Sequence, residues 1–411
     1  MRAEKSSSSK LKPQIDPGLA ELRDEIEILT RSLIDLVGKR EAVSAAVARV
    51  KRATNLQVEN RKVESKLMGT IADYAESIGV DRQLAKTILH ELLISSKNRQ
   101  RRELYREDIV AFLNRVGITK VAVIGSGRMG GWIAAYFKML NRDLLLLDKD
   151  VSKSRRLASQ LGCAYAKKLK EVCGTADLIV FAVPIKNTPA LVNKAIEIVQ
   201  GLVAAGNRIS PPTLVELSSV KSPISKTLRK SRYSKEAIKL YSIHPLFGPD
   251  AHPFATNPLI EVVTMKTGGD ADPLIPSLFP HFKIRQMTID EHDKLMSIML
   301  SLPHLLAFIF ADVTARNERS LTVRRRGTPN AQFLTSPSFA RMLDFATRVL
   351  SESPLVYHEI QSLNKNNAHL IQEIGKSLQS VAKLRRDRKL FAKFFGRTSR
   401  RLGELHDAAT A

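Results

Sequence analysis

The chain reads Val121-Ala122-Val123-Ile124-Gly125-Ser126-Gly127-Arg128-Met129-Gly130 where a run of apolar residues enters a Gly-x-Gly-x-x-Gly turn. The run predicts a buried strand, and the turn predicts a helix that begins near Met129, with Arg128 and Met129 among the cofactor-binding residues. Gly125 permits a sharp bend, Gly127 lets the backbone approach a pyrophosphate, and Gly130 lets the helix pack closely on the strand. The free N–H groups of such a helix N-terminus stabilise phosphate. The stretch therefore predicts a dinucleotide-binding turn.

An acidic residue lies where a nucleotide ribose is expected. A second predicted strand, Leu144 to Leu147, ends on Asp148, about 20 residues beyond the glycines. A carboxylate at this position accepts hydrogen bonds from the ribose hydroxyls and repels a 2′-phosphate, so the sequence predicts NAD as the cofactor. The alternative, a glycine-containing turn in an ordinary α/β domain, is disfavoured by the combination of strand, glycines and acid.

The 411 residues divide into regions of different pattern. Residues 1–16 combine serines and lysines without an apolar core, which predicts a disordered leader. Residues 17–114 repeat apolar residues at helical spacing and predict an all-α domain of three helices. Residues 115–288 alternate strands and helices, which predicts an α/β Rossmann-type domain with a parallel sheet. Residues 289–411 predict an all-α dimerisation domain. The first helix is too long to be covered by two shorter neighbours, so we also expect a homodimer through it.

The formal net charge of +24 calls for an anionic partner or a highly charged surface. Nucleic acid, a solvated basic surface, and clefts for an anionic substrate and cofactor are competing explanations. Much of the basic excess lies in Lys97–Arg102, Arg324–Arg326 and Lys383–Arg401. We do not expect nucleic acid as the main partner, because none of these runs has the organisation of a platform on which bases stack.

The two cysteines limit the chemistry and the compartment. Cys163 and Cys173 fit no disulfide or metal-binding pattern, and we predict no metal site. Scarce cysteine is typical of a reducing compartment, so we expect a cytoplasmic protein. We find no stretch that resembles a membrane span and expect no membrane association.

Six polar residues of the helical region form a pattern that none of them forms alone: Arg23, Arg40, Lys51, Glu64, Ser96 and Gln100. The set resembles the active-site positions of the all-helical chorismate mutases of the enteric type, over nearly all of residues 17–105. The resemblance implies that Arg23 reaches into the partner subunit's site. It also implies that Arg40 binds a substrate carboxylate within its own subunit.

The rearrangement of chorismate to prephenate needs no covalent or acid–base help, so an enzyme must hold a compact conformer and stabilise charge on the breaking ether oxygen. The resemblance implies that Lys51 and Gln100 donate to that oxygen. It implies that Glu64 binds the ring hydroxyl and that Ser96 lies near a carboxylate. One position departs from the family, because Val63 stands where an arginine usually precedes the glutamate.

A second set of motifs follows the glycine turn: Ser218-Ser219-Val220-Lys221, His244-Pro245-Leu246-Phe247-Gly248-Pro249, Glu291-His292-Asp293, Leu302-Pro303-His304 and Thr347-Arg348-Val349-Leu350. Together they resemble the prephenate dehydrogenases over residues 118–360. The order of the two resemblances is that of the bifunctional chorismate mutase/prephenate dehydrogenases of tyrosine biosynthesis. It implies chorismate and prephenate as substrates.

The dehydrogenase resemblance assigns roles to individual residues. His244 accepts the hydrogen bond of the substrate hydroxyl, for which a neutral imidazole is suited. Ser219 lies near the same hydroxyl, and Arg348 clamps the ring carboxylate with its guanidinium fork. His304 lines the site or is a core residue, and His292-Asp293 supports the pocket without touching the substrate.

Two further functional hypotheses remain open at this point. In one, the dehydrogenase is active and the mutase region has decayed to a dimerisation or regulatory module. In the other, the chain is a basic NAD-responsive protein that binds nucleic acid. The family resemblance also allows feedback inhibition by L-tyrosine, and the sequence leaves open whether prephenate or its transaminated form, arogenate, is preferred.

Overall fold

The computed structural model describes residues 17–232, 238–255, 261–264, 273–323, 332–333 and 335–410. The predicted leader, residues 1–16, and the basic run Arg324–Arg326 lie outside the described residues. The chain divides into two compact units. One holds the described residues up to Val116, the described part of Asp250–Ile260, and Pro276–Phe282. The other holds the described parts of Gly117–Pro249, Glu261–Ile275 and Lys283–Ala411.

Three long helices form most of the first unit: α1 (Pro17–Ala53), α2 (Arg61–Ser77) and α3 (Arg82–Arg115). Both α1 and α2 pack on α3. Asp81 caps α3, because its side chain accepts a hydrogen bond of 2.7 Å from the Leu84 N–H. The sequence pattern predicts an end of this helix near Arg101, but α3 continues to Arg115. No glycine or proline interrupts it before Gly117.

The N-terminal half of α1 has an apolar face that nothing covers among the described residues of this chain. Leu22, Ile26, Leu29 and Leu33 are each about 60% exposed. Burial on α1 begins only near Ser44 and Ala45, where the helix reaches α3. A helix of 37 residues spans roughly 55 Å, and α3, although it has 34 residues, leaves the N-terminal half of α1 uncovered.

An eight-stranded sheet forms the core of the second unit, in the order β3-β2-β1-β4-β5-β6-β7-β8. The strands are β1 (Lys120–Ile124), β2 (Asp143–Leu147), β3 (Ala164–Tyr165), β4 (Leu178–Phe181), β5 (Thr213–Glu216), β6 (Leu240–Pro245), β7 (Glu261–Thr264) and β8 (Lys283–Gln286). The first six pair in parallel, β7 runs antiparallel to β6, and β8 is parallel to β7. The predicted Rossmann-type fold is confirmed.

Helices cover the sheet and bury its central strands. They are α4 (Arg128–Met139), α5 (Val151–Leu161), α6 (Leu169–Thr175), α7 (Thr188–Ala204), α8 (Ser225–Arg232) and α9 (Leu274–Leu278). Every residue of β4 is buried, as expected for a parallel strand covered on both faces. The carboxyl ends of β1, β4 and β5 meet at one edge, where α/β proteins place their ligands.

The C-terminal region is helical, as predicted: α10 (Ile289–Met296), a π-helical segment (Ser297–Ser301), α11 (Leu302–Arg316), α12 (Glu318–Leu321), α13 (Pro337–Leu350), α14 (Pro354–Leu363), α15 (Asn367–Leu384) and α16 (Arg388–Thr410). The sequence gives no strand signal here, but β9 (Thr322–Val323) and β10 (Gln332–Phe333) form a short antiparallel pair. Two-residue strands are too short to produce a periodic pattern.

One expectation about membranes needs correction. The helical run Ile289–Arg316 is long and apolar enough, by length and composition alone, to cross a membrane. Core helices of other proteins meet the same criterion. In this run the Asp293 carboxylate accepts hydrogen bonds from the backbone N–H groups of Lys221 and Ser222, both at 2.8 Å. Such contacts with the loop after β5 favour a packed helix over a lipid-exposed one.

Candidate functional sites

The glycine turn after β1 is built as its sequence predicts. Gly125 has φ +103°, and a Cβ added there would overlap the Ala182 carbonyl. A Cβ on Gly130 would overlap the Gly125 carbonyl oxygen, so only glycine lets α4 approach β1 this closely. Gly127 has no atom within 4 Å of its virtual Cβ, which leaves space above the backbone. The turn therefore forms an open cradle at the N-terminus of α4.

Polar groups around this cradle fit a nucleotide. The Asp148 carboxylate, just after β2, accepts hydrogen bonds from the Ser126 N–H at 2.6 Å and the Asp150 N–H at 2.9 Å. The Ser126 hydroxyl is buried and has no hydrogen-bond partner among the described residues. An unpartnered buried hydroxyl costs free energy unless a ligand satisfies it. The cradle, the hydroxyl and the carboxylate fit NAD.

The first two residues of α4 differ in their surroundings. The Arg128 guanidinium pairs with the Glu352 carboxylate at 2.5 Å, in the loop between α13 and α14. Met129 is half-buried. Arg128 thus connects the N-terminus of α4 to the helix pair that carries Arg348, a link that the sequence pattern does not contain.

His244 lies in β6 and is buried, with 5% of its surface exposed. Burial, followed by the nearby His292 and Lys221, holds the imidazole pKa well below 6.5. The side chain is therefore neutral at neutral pH, as a hydrogen-bond acceptor must be. Its Nδ1 atom lies 3.0 Å from Nε2 of His292, which is fully buried at the start of α10.

A buried ion pair lies beneath His244. Lys221 and Glu216 are both fully buried, and the Lys221 Nζ lies 2.7 Å from Glu216 Oε1. The same Nζ donates to the Ile243 carbonyl at 2.8 Å, next to His244 in β6. Glu216 also accepts hydrogen bonds from the Ser218 N–H at 2.7 Å and from the Ser242 hydroxyl. With these partners satisfied, the pair fixes the ends of β5 and β6.

Sequence reasoning missed the roles of Lys221, Glu216 and His292. It placed Lys221 in a motif, and it assigned His292 a supporting role without contact to His244. The available signal was the charged pair Glu216 and Lys221 at the end of an apolar strand, because a charged side chain is rarely buried without a partner of opposite charge.

Three other predicted site residues lie on separate elements. Ser219 is half-buried in the loop after β5, His304 lies on α11, and Arg348 is exposed on α13. Burial lowers the His304 pKa to about 4, and its ring meets the Tyr357 ring edge-on at 4.5 Å. Among the described residues, none of the three bonds directly to His244. Their predicted contacts with the substrate remain predictions.

The helical unit brings Arg40 and Ser96 together. The Arg40 guanidinium donates to the Ser96 hydroxyl and, at 2.6 Å, to the Leu92 carbonyl. The Ser44 hydroxyl lies 3.0 Å from the Ser96 hydroxyl, so α1 and α3 form one polar cluster. Arg23 lies on the exposed part of α1 and has no contact with this cluster. This placement suits a residue that serves another subunit.

Lys51 and Glu64 are close enough to interact electrostatically, and Gln100 lies about one helical turn beyond Ser96 on α3. The Lys51 Nζ donates to the Val58 carbonyl at 2.6 Å. Burial lowers the Lys51 pKa, while the carboxylates of Glu64 and Glu59 raise it. The side-chain oxygen of Gln100 is buried without a partner among the described residues. The Lys51 cation suits an anionic ligand, whereas the unpartnered Gln100 oxygen is an acceptor that a donor such as a ligand hydroxyl would satisfy.

A further cation, Lys97, was missed by sequence reasoning. Its Nζ lies 2.9 Å from the Glu64 carboxylate, and both residues line a cavity of about 420 Å³ between α2 and α3. Val63, which replaces an arginine of the family pattern, is 59% exposed. The cationic group of this corner therefore comes from α3 and not from the residue before Glu64.

Part of the segment after the His244 motif packs within the helical unit. The Arg101 guanidinium, next to Gln100, donates to the Ala255 carbonyl at 2.7 Å. The His281 ring stacks between Tyr105 and Phe254, at centroid distances of 5.5 and 4.8 Å. Burial lowers the His281 pKa to about 4, so this ring is a neutral packing element at neutral pH.

The fold and these sites define a two-part enzyme, in which a helical region with a cationic pocket precedes a dinucleotide-dependent oxidoreductase. Residues 22–101 match the family model of chorismate mutase type II, and residues 288–394 match the dimerization domain of prephenate dehydrogenase. Residues 120–206 match the NADP oxidoreductases that depend on coenzyme F420. The chain thus combines a chorismate mutase region with a prephenate dehydrogenase region.

Individual relatives match the chain over most of its length. The T-protein of Enterobacter agglomerans is 22% identical over 398 residues, which cover 94% of this chain and 93% of the relative. A probable arogenate/prephenate dehydrogenase of Methanocaldococcus jannaschii is 20% identical over 302 residues, or 71% of this chain and 62% of its own length. The solved prephenate dehydrogenase from A. aeolicus, in complex with hydroxyphenyl propionate and NAD+, has a TM-score of 0.53 at 18% identity. It covers 70% of this chain and 98% of its own, and it supports the fold.

Proposed function

We propose that this protein converts chorismate to prephenate in its N-terminal region and oxidatively decarboxylates prephenate to 4-hydroxyphenylpyruvate in the NAD-binding region. The observation that carries the proposal is a buried, neutral His244 in the same chain as the Arg40, Lys51 and Ser96 pocket. Neither alternative is favoured by an observation. A nucleic-acid-binding protein has no need of such a histidine, and the cluster of Arg40 with Ser96 supports an active mutase region over a decayed one.

In the mutase region the residues act by position and charge. Arg40 holds one substrate carboxylate, while Lys51 and Gln100 face the ether oxygen as it gains negative charge. Glu64 accepts the ring hydroxyl. Because the reaction is unimolecular, the free-energy gain comes from holding the reactive conformer and from hydrogen bonds that strengthen in the transition state.

In the dehydrogenase region, the turn at Gly125 and Gly127 and the Asp148 carboxylate would hold NAD⁺, which would supply a hydride acceptor for the hydroxyl-bearing ring carbon. His244 accepts the hydrogen bond of that hydroxyl and stabilises the positive character that develops on the carbon. Arg348 holds the ring carboxylate until carbon dioxide leaves, and Ser219 and His304 complete the pocket. Aromatisation of the ring drives the step.

Several properties belong to this proposal as well. The protein is a homodimer, joined through α1 and through the C-terminal helices that match a dimerization domain. It acts in the cytoplasm, and its final product leads toward tyrosine, so L-tyrosine is the first effector to examine as a feedback inhibitor.

One assay series tests the function. Purified protein with NAD⁺ is given chorismate, prephenate or arogenate, and NADH absorbance and 4-hydroxyphenylpyruvate are followed. We expect NADH from chorismate and from prephenate, and the arogenate assay shows whether the transaminated substrate is also oxidised. NADH from prephenate alone would show a decayed mutase region, and no NADH from any substrate would overturn the proposal.

A further inference from the structure

Three side chains form a continuous hydrogen-bonded chain behind the candidate catalytic imidazole. His244 Nδ1 lies 3.0 Å from His292 Nε2, and His292 Nδ1 lies 2.9 Å from Asp293 Oδ1. His292 and Asp293 are fully buried, and His244 is 5% exposed. Bulk water therefore does not compete for these bonds, and the proton positions depend on the three groups and their immediate neighbours.

The carboxylate end of the chain is an acceptor only. Asp293 Oδ1 accepts the Lys221 N–H at 2.8 Å, and Oδ2 accepts the Ser222 N–H at 2.8 Å and the Ser222 hydroxyl. These hydrogen bonds outweigh the effect of burial and hold the Asp293 pKa below its usual range. An ionised carboxylate has no proton to give, so His292 Nδ1 must donate to it.

The direction of the other bond follows. Burial lowers the His292 pKa, so the ring is neutral and carries one proton. With that proton on Nδ1, His292 Nε2 has a free lone pair and must accept. His244 Nδ1 must then donate its proton to His292, which leaves His244 Nε2 without one.

We propose that His292, oriented by Asp293, is a positioning residue that keeps His244 in the tautomer with a bare Nε2, ready to accept the substrate hydroxyl. This inference rests on the proposed dehydrogenase function. The ionic surroundings preserve the arrangement, since Lys221 faces both imidazoles and is itself neutralised by Glu216 at 2.7 Å. Protonation of His292 would reverse the bond and place the wrong proton on His244.

The tautomer can be observed without an activity assay. In full-length protein labelled with ¹⁵N-histidine, the His244 signals are identified by their loss in His244→Asn. We expect a protonated Nδ1 and a bare Nε2 in the unsubstituted protein. In His292→Leu the acceptor is gone, and the His244 signals should shift toward the Nε2-protonated form. A proton on Nε2 in the unsubstituted protein would overturn the proposal.

Kinetics supply the second readout. We expect His292→Leu to lower kcat with prephenate on the order of 10²-fold, with little change in KM for NAD⁺. His292→Gln presents an amide oxygen toward His244 Nδ1 and should recover about ten-fold of that loss. Equal impairment of the two variants would show a packing role and overturn the proposal.

Controls separate the possible failures. Chorismate consumption and the thermal midpoint report whether a variant folds, and if His292→Leu does not fold, His292→Gln and the unsubstituted protein still decide. If the unsubstituted protein forms no NADH from prephenate, the proposed function fails, whereas the tautomer measurement still tests the hydrogen-bond chain.

Discussion

The two candidate sites differ in how much of each one chain supplies. His244, His292 and Asp293 are buried, and the two hydrogen bonds that connect them are made within one unit. Arg40, which contacts Ser96, lies on α1, and the N-terminal half of that helix, which includes Leu29, is exposed. The His244 centre is thus enclosed by the residues of one unit, whereas α1 keeps an exposed apolar face near the Arg40 cluster, where we propose that a second chain packs.

The largest expected effect separates the two activities completely. His244→Asn keeps the size and polarity of the side chain but removes the basic ring nitrogen. We expect NADH formation from prephenate to fall by about 10²–10⁴-fold, the range of general acid–base contributions. Chorismate consumption, measured by loss of its absorbance, should stay unchanged. An equal fall in both activities would mean that the two sites are not independent.

The exposed face of α1 gives the converse separation. Leu29→Glu with Leu33→Glu places two carboxylates where we expect the partner's helix, and burying them would cost several kcal/mol. We expect mutase activity to fall at least ten-fold at micromolar protein, because Arg23 no longer reaches a second site. Dehydrogenase activity should fall less than two-fold, since His244 lies elsewhere.

Ser32→Glu is the matched control for this experiment, because Ser32 is also exposed on α1 but lies outside the apolar face. It should leave both activities and the molar mass in light scattering unchanged. If the leucine variants keep full mutase activity at all concentrations, the mutase pocket is complete without a second chain.

A substitution of Lys97 tests the helical site alone. Lys97→Met removes the charge 2.9 Å from Glu64 while it keeps most of the side-chain volume. We expect the KM for chorismate to rise by about ten-fold, the value of one charge-assisted hydrogen bond. Adding Val63→Arg to the Lys97→Met variant should restore part of the affinity for chorismate if the introduced arginine reaches Glu64. No recovery would show that Lys97 acts only through Glu64.

Sequence reasoning was most successful where local chemistry determines structure. The glycine turn and the strands β1 and β2 follow from residue types at fixed spacings. The extension of α3 to Arg115 and the short strands β3, β9 and β10 were not anticipated, because their signals are too short or depend on packing.

The site partners that could not be predicted from the sequence are joined by long-range contacts. His292 lies 48 residues from His244, and Lys97 lies 33 residues from Glu64, so neither pair leaves a periodic signal. The family resemblance located His244 and Glu64, but it assigned no direct partner to either. Only the fold shows that each predicted residue has a titratable neighbour.

The smallest expected effect concerns pH, where the two sites should respond in opposite directions. Lys51 must be charged to stabilise the ether oxygen, and burial lowers its pKa from 10.5, so mutase activity should begin to fall as pH rises through this lowered value. His244 must be neutral, and its pKa lies well below 6.5, so dehydrogenase activity should be lost only as pH falls through that low value. Both activities therefore coexist at pH values above the pKa of His244 and below that of Lys51. Lys51→Arg keeps the charge at all accessible pH and should remove the alkaline decline of the mutase while its activity at neutral pH drops, and a decline that persists would assign the titration to another group.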